Sequence, residues 1–87
     1  MRFFVYLLEC SDGSYYCGIA LDLEKRLKTH NSGKGAKYTR SRLPVRLVFS
    51  ETLESKSIAL KREAEIKRLS RKQKIALIEC FENSGQR

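Results

Sequence analysis

Five side chains in this sequence carry chemistry suited to a phosphate ester: Tyr6, Tyr16, Arg26, His30 and Glu63. Arginine holds a phosphate through two hydrogen bonds and offsets the charge that builds on it in a transition state. Histidine transfers protons or binds phosphate near neutral pH. His30 is the chain's single histidine, four residues after Arg26. That spacing puts both on one helix face, where both reach one point. Taken alone, Arg26 also suits a solvated helix face, and His30 a C-terminal cap that complements the helix dipole. A tyrosine acting as a base must lose its proton against a free pKa of about 10. A nearby Mg²⁺ or arginine favours the phenolate, so Tyr6 close to Arg26 is the candidate base toward water. Tyr15, Tyr38 and Tyr16, each taken singly, also fit ordinary packing in strands or at the surface.

Glu63 is notable for its neighbours. At about 100° per residue, Ala59, Glu63 and Ile66 project into one sector, with Leu60 beside them, while Lys61, Glu65 and Arg68 take the opposite side. An inward carboxylate is costly unless a cation or metal compensates it. Glu63 is therefore a Mg²⁺ ligand at the floor of a cleft, or half of a buried ion pair with Arg26, Lys67 or another cation. A lone acid suits Mg²⁺ bound mainly through water and substrate phosphate, not a preassembled protein cage.

These groups need a scaffold, and the chain supplies punctuation for one. Phe3 to Cys10 is apolar and aromatic, and it ends at Ser11-Asp12-Gly13-Ser14. Asp-Gly predicts a hairpin, with Ser14 to Ala20 returning. A two-residue turn at Asp12-Gly13 sets position 9 against 16 and Tyr6 against 19, unless a bulge intervenes. Asp22 caps a helix to about Asn31, with Leu23 and Leu27 on its inner stripe. Ser32 to Ala36 is a loop leading through Lys37-Tyr38-Thr39-Arg40 to Pro44. Val45 to Ser50 alternates as a third strand. Ser55 or Ser57 opens a helix over Lys56 to Leu69. Ser70 and Gln73 form a capping box for a last helix from Arg71 to about Glu82, burying Ile75, Ile78 and Phe81.

The chain has 87 residues, 41% of them hydrophobic, enough for one domain over residues 1–82 with a frayed tail at 83–87. Eighteen Lys and Arg against ten Asp and Glu leave a net charge of +8, which points to a polyanion, with nucleic acid the default. The stretch from Lys25 to Arg46 contains no acid at all. Within it, Gly33-Lys34-Gly35 reads as a flexible phosphate-contacting loop without the Walker A or Rossmann pattern. Lys34, Lys37, Arg40 and Arg42, with Tyr38 among them, are placed to track a nucleic-acid backbone. Cys10, Cys17 and Cys80 are scattered thiols that suit a reducing cytoplasm rather than a disulfide framework or a zinc site. No apolar run approaches a membrane span. Met1 to Leu8 mimics a short signal segment but reads as a buried strand, because Glu9 and Asp12 follow at once.

In order and spacing these strings resemble the GIY-YIG nuclease superfamily, most of all its small single-domain bacterial members. Phe4-Val5-Tyr6 stands where the first signature triplet would be, and Tyr16-Cys17-Gly18 where the second would be. Asp22 to Asn31 resembles the family's first helix, including its Arg and His. Gly35 to Arg40 resembles the following loop, and Ala59 to Glu63 the helix that supplies a metal-binding Glu. Phe4 replaces the first Gly and Cys17 replaces Ile, and neither change removes a chemical group. The resemblance implies an α+β fold: a small three-stranded antiparallel sheet flanked by helices, in the order β-β-α-β-α-α. It also implies roles. Tyr6 is the general base, aided by Tyr16 or His30, Arg26 stabilises the phosphate, and Glu63 anchors one divalent metal, Mg²⁺ or Mn²⁺. The implied reaction is hydrolysis of a DNA phosphodiester, DNA before RNA, on structured or single-stranded substrates in repair or recombination. A homodimer or a partner protein would help so small a chain cut both strands.

Two other classes compete with that reading. A nucleic-acid-binding module keeps the lysines and has no need of an inward acid, which repels phosphate when no metal is present. A protein–protein adaptor fits the basic charge poorly.

Overall fold

The computed structural model describes residues 2–83. Two strands, β1 (Phe3–Glu9) and β2 (Tyr15–Ala20), pair antiparallel as the Asp-Gly signal predicts. The turn is one residue longer than expected. Cys10 N–H donates to Ser14 O at 2.8 Å, and Gly13 lies in the left-handed region at φ 84°. This gives a three-residue connection closed by a glycine bulge. Asp12 pins it by accepting bonds from the Ser14 backbone and hydroxyl at 3.0 and 2.6 Å.

The longer turn decides where the tyrosines go. Glu9 faces Tyr15, Leu8 faces Tyr16, and Tyr6 faces Gly18, not residue 19. A one-residue slip moves every side chain to the other face. The expected register would have put Tyr6 and Tyr16 on opposite faces; the observed one puts both on the same face, diagonal neighbours with ring centroids 6.4 Å apart.

Helix α1 (Leu23–Asn31) starts at Asp22, whose carboxylate accepts from Lys25 N–H at 3.0 Å. Residues 37–40, expected as loop, form the one-turn helix α2 (Lys37–Arg40), wound about the Ala36 carbonyl. Strand β3 (Arg46–Leu53) runs three residues further than its alternation suggested, because pairing with β1 continues to Leu53 opposite Phe3. The sheet order is β2-β1-β3, which leaves β2 on an edge. Helix α3 (Lys56–Lys67) begins at Ser55, which accepts from Ile58 N–H. It ends two residues early, where Arg68 and Leu69 turn back on Glu65 and Ile66. Helix α4 (Arg71–Asn83) carries the capping box in both directions: Ser70 N–H to Gln73 Oε1 at 2.9 Å, and Gln73 N–H to Ser70 Oγ at 3.2 Å.

The architecture is α+β, a three-stranded antiparallel sheet with helices on both faces. Alternation along β1 divides the core. Val5 and Leu7, with Cys17, pack against Ala59, Ile66 and Ile78 of α3 and α4. Tyr6 and Leu8 face the other way, against Tyr16, Leu23 and Leu27. A bulge opposite Leu7 and Leu8 lets neighbouring Val48 and Phe49 both join the first cluster. Phe81 meets Phe49 edge-on, while Ile75 is only half-buried. Leu60, expected beside the buried sector of α3, is 45% exposed. The stretch 5–8 is buried, as a strand reading requires. Of the tail expected at 83–87, Asn83 closes α4 and residues 84–87 lie outside the described residues.

Candidate active site

The Tyr6 hydroxyl is the meeting point. Arg26 Nε–H donates to it at 3.4 Å, and His30 Nε2 lies 3.0 Å away. Arg26 and His30 thus reach one point, as their spacing predicts. Their partner there is the phenol. His30 is fully buried, so its side chain neither caps α1 nor touches solvent phosphate. Its other nitrogen, Nδ1, lies 2.9 Å from Thr39 Oγ1, and that hydroxyl donates to the Ala36 carbonyl at 2.9 Å.

Two glycines make room for this cluster. A Cβ at Gly18 would lie 2.6 Å from Tyr6 Oη and 2.8 Å from its Cζ. A Cβ at Gly35 would collide with His30 Nδ1 and lie 2.8 Å from His30 Cα. Gly18 was legible as the last member of Tyr16-Cys17-Gly18. Gly35 and Thr39 stand in the basic loop and were read there only as loop. Asn31 was missed as well. Its amide exchanges hydrogen bonds with the Val45 backbone at 2.8 and 3.0 Å, tying the end of α1 to the approach to β3.

Burial raises the Tyr6 pKa above the ordinary phenol value, and Arg26 offsets only part of that. The expected bias toward phenolate is therefore reversed in the resting site. Burial, seconded by the Arg26 charge, lowers the His30 pKa, so the imidazole is held neutral.

Tyr16 lies edge-on to His30 at 5.3 Å and stacks on Tyr38 at 6.1 Å. Tyr38 is 40% exposed and carries the Arg42 guanidinium 4.0 Å over its ring. Arg42 also bonds Asp12 at 3.0 Å and the Tyr38 carbonyl at 2.7 Å. That places Arg42 in a brace between the β-turn and α2. Lys34, Lys37 and Arg40 are exposed, and among the described residues none is in an ion pair.

Two grooves flank the cluster. One, of about 420 Å³, is lined by Ile19 to Asp22 with Lys25, Arg26 and Thr29. Only Nε of Arg26 is engaged among the described residues, so its terminal nitrogens remain for a ligand there. The other, of about 210 Å³, rounds the free edge of β2 past Tyr15, Tyr16, Cys17 and Tyr38 to Lys67 and Lys74. These two lysines extend the cationic face onto α3 and α4; the sequence singles out Lys67 only as a partner for Glu63, and Lys74 not at all.

Glu63 lies on the far side of that edge. Its side chain is 18% exposed, and its ion-pair partner is Lys67 at 3.5 Å, not Arg26. It adjoins Cys17, whose thiol burial, aided by the Glu63 charge, pushes up to about 11. Cys17 belongs to the α3-facing core, whereas Tyr6 and Tyr16 belong to the opposite one. The structure therefore joins Tyr6, Tyr16, Arg26 and His30 directly, and leaves Glu63 outside the second groove, behind its lining residues Cys17 and Lys67. Among the described residues no three His, Cys, Asp or Glu converge. Such a donor set fits a sparsely held divalent ion that keeps water and substrate phosphate as its other ligands, and does not fit a caged one.

A family model of the GIY-YIG catalytic domain matches residues 2–76, nearly every residue just described. The chain belongs to the GIY-YIG family. Among its GIY-YIG relatives, a UPF0213 protein of Staphylococcus saprophyticus is 53% identical over 77 residues, 88% of this chain and 94% of that one. A UPF0213 protein of Halobacterium salinarum is 56% identical over 73 residues, 84% of this chain and 95% of that one. The solution NMR structure of a UPF0213 protein from Bacillus halodurans superposes with a TM-score of 0.62 at 48% identity, covering 97% of this chain and 89% of that one. The family carries nuclease-like activity at the level of the domain, which suggests a nucleic-acid substrate. Among the described residues no helix is long and apolar enough to cross a membrane.

Proposed function

We propose that this chain is a metal-dependent endonuclease that hydrolyses DNA phosphodiesters. The observation that carries the reading is the buried Tyr6 hydroxyl, bonded to both Arg26 and His30 beside a cationic face. Tyr6 passes its proton to neutral His30 Nε2 and takes one from the attacking water. The net result is hydroxide at phosphorus and an imidazolium at His30. Pairing the transfers avoids a standing phenolate, which burial disfavours. Arg26 presents its remaining nitrogens to the phosphate and offsets its growing charge. Lys34, Lys37 and Arg40, and Lys67 and Lys74 across the edge of β2, hold the flanking backbone. Bound at Glu63, Mg²⁺ or Mn²⁺ supplies stabilisation of charge on the phosphate and the leaving oxygen. Structured or single-stranded DNA, met in repair or recombination, is the substrate class we favour. The cysteines are free, which suits a reducing cytoplasm.

A second reading is a binding module with little activity, favoured by the Lys67 ammonium that already neutralises Glu63. A labelled panel of single-stranded, duplex, flap and branched DNA with Mg²⁺, Mn²⁺ or EDTA separates the two. Metal-dependent cutting lost in Arg26→Ala and Glu63→Ala supports the enzyme. Binding with a steep salt dependence and no cutting supports the module.

A further inference from the structure

We infer that Thr39 is a positioning residue that fixes His30 in the Nδ1–H tautomer, so that the one nitrogen facing Tyr6 is a proton acceptor. The argument is an accounting of hydrogens in a closed site. Tyr6, His30 and Thr39 are each 1% exposed or less, and no buried side-chain polar atom among the described residues lacks a partner. The Thr39 hydroxyl has one hydrogen and two neighbours, the Ala36 carbonyl and His30 Nδ1, each at 2.9 Å. A carbonyl oxygen only accepts, so the hydrogen goes to Ala36. Thr39 Oγ1 must then accept from His30, which puts the imidazole proton on Nδ1. His30 Nε2 is left with a lone pair, and the Tyr6 O–H donates into it across 3.0 Å. Arg26 Nε–H donates to the other side of the same phenol oxygen. Every donor then has an acceptor, in one direction from Arg26 through Tyr6, His30 and Thr39 to Ala36.

The other tautomer fails at both ends. With the proton on Nε2, Tyr6 Oη would accept from His30 as well as Arg26, and its own hydrogen would have no acceptor. Thr39 would turn its hydrogen to Nδ1 and set a lone pair against the Ala36 carbonyl at 2.9 Å. An unmet buried donor and an acceptor–acceptor contact are both costly. The groups around His30 are Tyr6 from β1, Tyr16 from β2, Arg26 from α1, Thr39 from α2 and the backbone of Gly35 from the loop between α1 and α2. None of the others offers Nδ1 an acceptor among the described residues, so Thr39 is what holds the proton at that end of the ring.

The tautomer stands on geometry alone; its use in receiving the Tyr6 proton rests on the nuclease reading. Since His30 is the chain's single histidine, ring ¹⁵N signals need no assignment. Long-range ¹H–¹⁵N correlation above the His30 titration should show a protonated Nδ1 and a bare Nε2 in the wild-type protein. Thr39→Val, which keeps the shape and removes the hydroxyl, should move the ring to a mixture or to Nε2–H. Thr39→Ser should restore the wild-type pattern. A protonated Nε2 in the wild type overturns the inference, and so does a folded Thr39→Val with an unchanged ring. The wild-type spectrum decides even if Thr39→Val does not fold. In cleavage, Thr39→Val should lower kcat at least tenfold with KM unchanged, and Thr39→Ser should recover it. A confirmed tautomer with no cleavage by any form would sink the nuclease reading and leave the positioning intact.

Discussion

Replacing Gly18 with alanine would insert a methyl group where the Tyr6 ring lies. The new carbon would sit 2.6 Å from Tyr6 Oη, 2.8 Å from Cζ and 3.2 Å from Tyr16 Cε2. Carbon contacts settle near ~3.5–4.0 Å, so the ring must retreat by about 1 Å. It has little room to do so. Tyr6 is buried on the central strand, and its hydroxyl is held by His30 at 3.0 Å and Arg26 at 3.4 Å. Forcing a methyl into a packed core costs about 1–3 kcal/mol. A retreat of that size also stretches the Tyr6–His30 bond past its useful range and strands a buried acceptor, about 1–3 kcal/mol more. The sum is roughly 2–6 kcal/mol. In a domain of this size each kcal/mol is worth about 4–8 °C, so Gly18→Ala should lower Tm by about 8 °C or more. Calorimetry or a urea titration reads it, and the His30 ring signals should move with it. A loss below about 0.5 kcal/mol, the range of an ordinary surface change, would refute the claim that Gly18 exists to admit the Tyr6 ring.

Four further outcomes are expected. Because the folded His30 pKa lies below its unfolded value near ~6.5, the unfolded chain binds a proton first as pH falls. Stability should be full above that value and decline below it, and His30→Gln, compared by urea titration across the same pH range, should flatten the decline. Lys34→Ala, Lys37→Ala and Arg40→Ala should each reduce the salt slope of DNA binding by about 1, read by fluorescence anisotropy. Arg42→Ala should instead lower stability, since it braces Asp12 and Tyr38. Lys67→Ala should lower stability, because it leaves the largely buried Glu63 carboxylate without its partner, and should shift the Mg²⁺ midpoint of cleavage to lower concentration. An unmoved midpoint would detach Glu63 from metal binding.

Local signals proved the most legible. Asp22, Ser55 and the Ser70–Gln73 box start their helices where composition placed them, because a cap is a contact across a few residues. The continuous apolar run of β1 likewise gave a strand packed on both faces. What depended on one residue's difference in a turn was not legible. Asp12-Gly13 signals a two-residue loop and a bulged one equally well, and only the bulged one brings Tyr6 and Tyr16 to the same face. The convergence of Arg26 and His30 was legible from their i,i+4 spacing. Its centre at the Tyr6 hydroxyl, and the sealing of His30 behind Thr39 and Gly35, depend on a loop packing across 24 and 9 residues of sequence. Periodicity placed Glu63 inward but could not choose its partner, and Lys67 one turn away took that role. Leu60, on the margin of the same sector, went to solvent.

The most direct test of the central claim is the rate at which purified wild-type and Tyr6→Phe proteins cut labelled DNA in Mg²⁺, with EDTA as control. Removing a general base typically costs about 10²–10⁴-fold in rate. A loss of that size in folded Tyr6→Phe, with wild-type cutting abolished by EDTA, is the predicted result. Tyr6→Phe cutting at the wild-type rate would contradict the account.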